Sequence, residues 1–128
     1  MLRLLVSGFL AGLFDVIFYL NSLNVFAVIS NHITRISSIP LGIVLHLIAS
    51  TIIFTVAVII IKGNRIKGDS LTSSLILGIM VGSSTLALFS LPIHLLVFPV
   101  KIDITYVLGH VFYGIIGYLI YWFLESHK

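Results

Sequence analysis

The sequence predicts an all-α integral membrane protein, a four-helix transmembrane bundle. Three observations lead there. Of the 128 residues, 59% are hydrophobic and 9% charged. A soluble domain runs near about 45–50% and about 25%, so polar surface here is too scarce to cover a globule in water. Four apolar stretches approach the roughly 20 residues that a helix needs to cross a bilayer. The turn-forming and charged residues gather between them. In lipid each segment must satisfy its own backbone hydrogen bonds, so even runs rich in Val, Ile and Phe become helices.

The spans are read at about residues 4–20, 41–61, 71–91 and 104–124, in one transmembrane domain over residues 1–128. Arg3 precedes the first span as it would in a signal peptide. Asp15 lies inside the run, however, and no small-x-small cleavage site follows, so an uncleaved helix is expected. Ser38 can cap the second helix, with Pro40 in its first turn, and Lys62 and Gly63 suit its end. Asp69 or Ser70 can cap the third. Pro92 and Pro99 should kink and then stop it, with an extension toward Phe98. Asp103 can cap the fourth.

Two outer segments are more than linkers. Over about residues 22–39, Phe26, Ile29, Ile33 and Ile36 recur at helical spacing, with Ser30, Asn31, Thr34 and Arg35 between them. That pattern predicts a short amphipathic helix on the outer interface. Pro92 to Asp103 reads as a helix extension or a shallow re-entrant piece.

Charge sets the direction. Arg3, Lys62, Arg65, Lys67 and Lys128 fall on one side, and only Arg35 and Lys101 on the other. The positive-inside rule then puts the N and C termini in the cytoplasm of a multi-pass cell-membrane protein. The net charge of +3 is topology information. No basic stripe or phosphate-cradling glycine loop is present, so nucleic acid is not an expected partner. The expected partners are the lipid bilayer and, beyond it, other membrane subunits or a second copy. The absence of cysteine excludes disulfides and thiolate metal sites.

Ionisable residues inside a span are costly, and are functional candidates for that reason. Each helix carries one: Asp15, His46, His94 and His110. At about 1.5 Å rise per residue, Asp15 and His46 fall about 7–8 Å beneath the outer edge. His110 falls about 9 Å down by the same rise, and His94 near the edge itself. Small residues share faces with them, as membrane helix contacts require. Gly8, Ala11 and Gly12 accompany Asp15 and Tyr19. Gly114 and Gly117 accompany His110, Tyr113 and Tyr121. Ala49, Ser50 and Ala57 accompany His46. Gly78, Gly82 and Thr85 mark the third helix, while the kink at Pro92 leaves the direction of His94 open.

Three readings of this layer remain open from sequence. The polar residues can be hydrogen-bonded packing groups. Three imidazoles and a carboxylate can hold a metal ion, or two facing His a haem b. Asp15 and the His residues, with Tyr19, Tyr106 and Tyr113 nearby, can handle protons in a small proton-coupled transporter. No nucleophile–base pair is recognisable, so the chain reads as non-catalytic, freestanding or an accessory subunit of a membrane complex. His32 and His127 read as surface residues.

The run Gly8-Phe9-Leu10-Ala11-Gly12 with Asp15, the pair Leu45-His46, and the stretch from Gly109 to Tyr118 resemble small four-span prokaryotic membrane proteins of the YagU-like group. The resemblance covers most of the chain. It implies a four-helix inner-membrane protein and no established activity. The proline-rich, tryptophan-containing loops of that group are missing here. Small multidrug transporters share an acidic first helix, and fluoride channels share four spans, but the defining motifs of both are absent.

Overall fold

The computed structural model describes residues 1–127. Lys128, counted above among the basic residues, lies outside them. The described chain is all-helical, with no strand among the described residues. Helix α1 spans Leu2–Phe18, α2 Asn24–Thr34, α3 Ile39–Gly63, α4 Leu71–Thr85, α5 Leu91–Leu96 and α6 Ile104–Ser126. A π-helical segment, Leu86–Ser90, joins α4 to α5 without a break.

Three helical stretches are long and apolar enough to cross a membrane: Ile39–Gly63, Leu71–Leu96 and Ile104–Ser126. They point to a membrane protein. Helix α1 has 17 residues and so measures about 26 Å at about 1.5 Å per residue. It ends at Tyr19, and a short 3-10 turn follows over Leu20–Ser22. The first helix therefore starts and stops slightly earlier than its hydropathy indicates.

The distribution of side chains is the reverse of a water-soluble fold. Ser7, Gly8, Ala11, Gly12, Ser74 and Gly78 are buried, while Val44, Ile48 and Ile52 on α3 are each more than half exposed, at 51%, 54% and 57%. In water this would be unstable. In lipid it is expected, because an exposed Ile costs nothing against acyl chains and small residues let backbones approach.

Small residues set the packing. Helix α1 lies on α3 and α6, and α4 lies on α6. A Cβ at Gly78 would stand 2.6 Å from the Cα of Ile115, and one at Gly114 would strike the backbone of Gly78 and Gly82. On α1, a Cβ at Gly8 would reach to 3.0 Å from the Cα of Thr51, and one at Gly12 would strike Ser50. Phe54 fills the space over Gly117. Helices α3 and α4 barely touch, and this leaves a gap on one side of the molecule.

The helix ends follow the sequence chemistry. Ser38 Oγ accepts from the backbone N–H of Leu41, Ser70 and Ser73 form a capping box, and Asp103 accepts from the N–H of Tyr106. That N–H, with Lys101 Nζ 3.5 Å away, holds the Asp103 carboxyl below the usual Asp range. A carboxyl depressed in the folded state stabilises the fold above its unfolded value, near about 3.9, and the contribution fades as pH falls through the folded value. Acidification below about pH 4 is therefore expected to lower the melting temperature of the detergent-solubilised protein. The fall should be smaller in Asp103→Asn, and an identical acid profile in that variant would remove the cap from the explanation.

Helix α2 differs from its sequence reading in two respects: it covers only Asn24–Thr34 of the expected 22–39, so that Ile36 lies past its end and 59% exposed, and one of its polar positions turns inward. Ser30, placed by its spacing among the polar residues, is fully buried. Its hydroxyl donates to the carbonyl of Ile36 at 2.6 Å and accepts from the N–H of Ser38 at 2.8 Å. Ser30 therefore ties the end of α2 to the start of α3. Phe26 is buried beside it, while Ile33 stays 59% exposed. The helix packs along α3, and Arg35 ends it in a left-handed conformation with φ 64°.

Arg3 Nη1 lies 3.2 Å from Glu125 Oε1, so the start of α1 meets the end of α6. Lys62 Nζ sits 5.6 Å from the ring centre of Tyr121. The described part of the C-terminus, the N-terminus and the α3–α4 connection therefore share one end of the molecule.

Candidate functional site

At the other end, the gap between α3 and α4–α5 opens into a cavity of about 250 Å³, roofed by α2. All four ionisable residues singled out above line it: Asp15, His46, His94 and His110. So do Tyr19, Tyr106 and Tyr113. Most of the remaining wall is apolar, including Phe26, Leu45, Ile53 and Phe98. Its rim residues Ile33, Phe89 and Ile93 are 59%, 41% and 38% exposed.

Asp15 is positioned by the small face of α1 and is only 3% exposed. Its Oδ2 lies 3.2 Å from His46 Nε2, an ion-pair distance. The two atoms are not aligned as a hydrogen bond, and neither Asp15 Oδ1 nor His46 Nε2 has a hydrogen-bond partner. Gly109 on α6 faces the carboxylate, where a Cβ would come to 3.1 Å from Oδ1. His46 is held from the α2 side by an edge-on ring contact with Phe26 at 5.4 Å.

A second cluster is built around Ser90, at the end of the π-helical segment. Pro92 has no N–H to give to the carbonyl four residues back, and its ring crowds that carbonyl. The helix widens just before it, as helices do at such points. The widened turn presents Ser90 Oγ to Tyr106 Oη and, at 2.7 Å, to His110 Nε2. His110 Nδ1 lies 2.8 Å from the carbonyl oxygen of Tyr106. A carbonyl only accepts, so Nδ1 carries the proton. In the neutral ring Nε2 then accepts from Ser90, and Ser90 accepts from the Tyr106 hydroxyl. The result is a directed chain, Tyr106 to Ser90 to His110.

Tyr113 donates to the backbone carbonyl of Ser50. His94 rests edge-on against Tyr106 and Phe98, at 5.5 and 5.0 Å. Its Nδ1 is buried without a partner, as is the hydroxyl of Thr85. His32 and His127 are exposed.

A metal site of three or more ligands, and a haem on His110, find no support in this geometry. Among the described residues, no three His, Asp or Glu side chains converge closely enough to hold one metal ion. Both ring nitrogens of His110 are engaged inside the protein, so neither is open to a metal or a haem iron without breaking the Ser90 cluster.

Ser90 and Thr85 line the site, and Gly109 backs Asp15 from α6; the sequence marks none of the three as a site residue. A serine beside a proline in a span gives no signal by itself, since spans carry Ser routinely. The proline two residues on was the available clue, because the widened turn it causes is what aims Ser90 inward.

The fold and the cavity together define a class: an all-helical protein with membrane-length apolar helices around a pocket edged by one carboxylate and three imidazoles. No family model, curated protein or solved structure matches the chain.

Proposed function

We propose that this chain is a non-catalytic four-span protein of the cell membrane, with both termini cytoplasmic, that binds a small molecule in a cavity in the outer half of the bilayer. Helix α1 is the fourth crossing in this reading. Its apolar length falls only a few ångströms short of the roughly 30 Å hydrocarbon core, and its small face packs against two membrane-length helices. The basic residues at the shared end of the termini set the orientation.

The observation that carries the binding reading is the set of orphaned polar atoms. Five buried side-chain atoms among the described residues lack a hydrogen-bond partner; four of them, Asp15 Oδ1, His46 Nε2, Thr85 Oγ1 and His94 Nδ1, belong to residues that line one cavity, and the fifth, Thr55 Oγ1, lies outside it. Buried polar groups without partners are rare and costly, and a bound polar ligand would satisfy them. Of the ways such a protein could act, the Asp15–His46 pair favours a proton-coupled carrier, because ligand and proton would share one carboxylate. No side-chain arrangement speaks for an accessory subunit.

Binding is tested in nanodiscs with small aromatic solutes that are neutral, cationic and anionic. At least one is expected to raise the melting temperature of the wild type, as ligands of the folded state do. Thr85→Phe, which fills the cavity from α4, should lose the rise. No rise with any of them would end the reading. Topology is tested separately in the cysteine-free background. Asn64→Cys should react with a membrane-impermeant maleimide only from the cytoplasmic side, and Lys101→Cys only from the outside. Labelling of both from one side would refute the four-span arrangement.

A further inference from the structure

We propose that the cavity is a receptor for an organic cation, an ammonium group carried on a single ring or a body of similar size. This rests on the ligand-binding reading above and gives it a ligand class.

Charge is the first argument. Among the described residues no Lys or Arg lines the cavity, and Asp15 is the one acidic residue on its wall. The carboxylate is buried and its Oδ1 unpartnered. A charge in that setting interacts strongly with an opposite one, because water does not screen it. Gly109 places no side chain beside Oδ1, where a Cβ would come to 3.1 Å.

The fate of the hydrogen-bond donors is the second. An anion needs donors, and those of the Ser90 cluster and Tyr113 are committed, leaving Thr85, His46 and His94 as the lining groups without a hydrogen-bond partner. Tyr113 donates to Ser50 O, Tyr106 to Ser90, Ser90 to His110 Nε2, and His110 Nδ1 to Tyr106 O. A cation needs none of them.

The wall is the third. Six aromatic residues, Tyr19, Phe26, Phe89, Phe98, Tyr106 and Tyr113, line the cavity that holds the one carboxylate. Ring faces attract cations, and aromatic cages are the usual receptors for quaternary ammonium groups. Size agrees as well. An apolar cavity of about 150 Å³ holds benzene, so about 250 Å³ accommodates a ring with a small headgroup.

Three probes of nearly one shape separate charge from size: benzyltrimethylammonium, its neutral carbon analogue neopentylbenzene, and benzylsulfonate. Their affinities are read from melting curves of the wild-type protein in nanodiscs, at concentrations corrected for partitioning into lipid. The cation is expected to bind at least about tenfold more tightly than the neutral analogue, a difference of about 1.4 kcal/mol, and the sulfonate not at all. Asp15→Asn should bring the cation down to the neutral analogue. Gly109→Ala keeps the carboxylate and adds one methyl beside Oδ1, so it should weaken the cation alone even where Asp15→Asn does not fold. Equal binding of cation and neutral analogue, or tighter binding of the sulfonate, would overturn the ligand class and leave a binding cavity standing. No binding of any probe would take both readings down together.

Discussion

Gly114→Leu is expected to drive α4 off α6 and leave little folded protein to purify. The two helices meet backbone to backbone at this point. A Cβ on Gly114 would already strike Gly78 and Gly82, and one on Gly82 would stand 2.5 Å from the carbonyl oxygen of His110. Overpacking a tight core costs about 1–3 kcal/mol where side chains can shift. Here the obstacle is the opposing main chain, which cannot turn away, so the cost should exceed about 3 kcal/mol. Gly114→Ala should give an intermediate loss. Phe112→Leu, on the same helix, 40% exposed and stacked on Phe18 at 5.8 Å, should lose no more than about 1.5 kcal/mol. Monodispersity and melting temperature in detergent check the series. A Gly114→Leu protein as stable as Phe112→Leu would mean that α4 and α6 do not meet as described.

Ser90→Ala is expected to have the next largest effect, about 2 kcal/mol of stability. It strips the hydroxyl from between Tyr106 and His110, leaving two polar groups in a water-poor site. Each orphaned group costs about 1–3 kcal/mol in soluble proteins. Single hydrogen bonds in membrane helices average nearer about 0.6 kcal/mol, with a maximum near about 1.7, so two lost bonds lie between about 1.2 and about 3.4 and about 2 is expected. The companion variant is Ser90→Ala with Tyr106→Phe, which removes donor and acceptor together. It should be more stable than the sum of the single losses by about 1 kcal/mol. Strict additivity would show that the Tyr106–Ser90 contact carries no energy.

The two experiments separate shape from site. The glycine variant probes whether α4 and α6 approach closely enough to close one side of the cavity. The serine variant probes whether the donors of the Tyr106–Ser90–His110 chain are tied down.

Much of the fold is legible in the residues, because lipid leaves few choices. A long apolar run must become a helix there, and Ser38, Ser70 and Asp103 mark helix starts by the same chemistry that operates in water. The small faces of α1, α4 and α6 told which sides would meet. Ser30 was not legible: its spacing put it on a polar face, but its hydroxyl closes the α2–α3 corner from within. That bond depends on where the chain turns after Thr34, which periodicity does not encode.

The candidate site divides in the same way. Asp15, His46, His94 and His110 stand out in the sequence because ionisable groups are rare in apolar runs. That Asp15 meets His46 while His110 is held by Ser90 was decided by the tertiary structure alone. The sequence determined which segments are helical and which faces are small, because those follow from local composition and the solvent. The tertiary structure decided which polar atoms find partners, because a proline-widened turn and a gap between α3 and α4 set distances across helices remote in the chain.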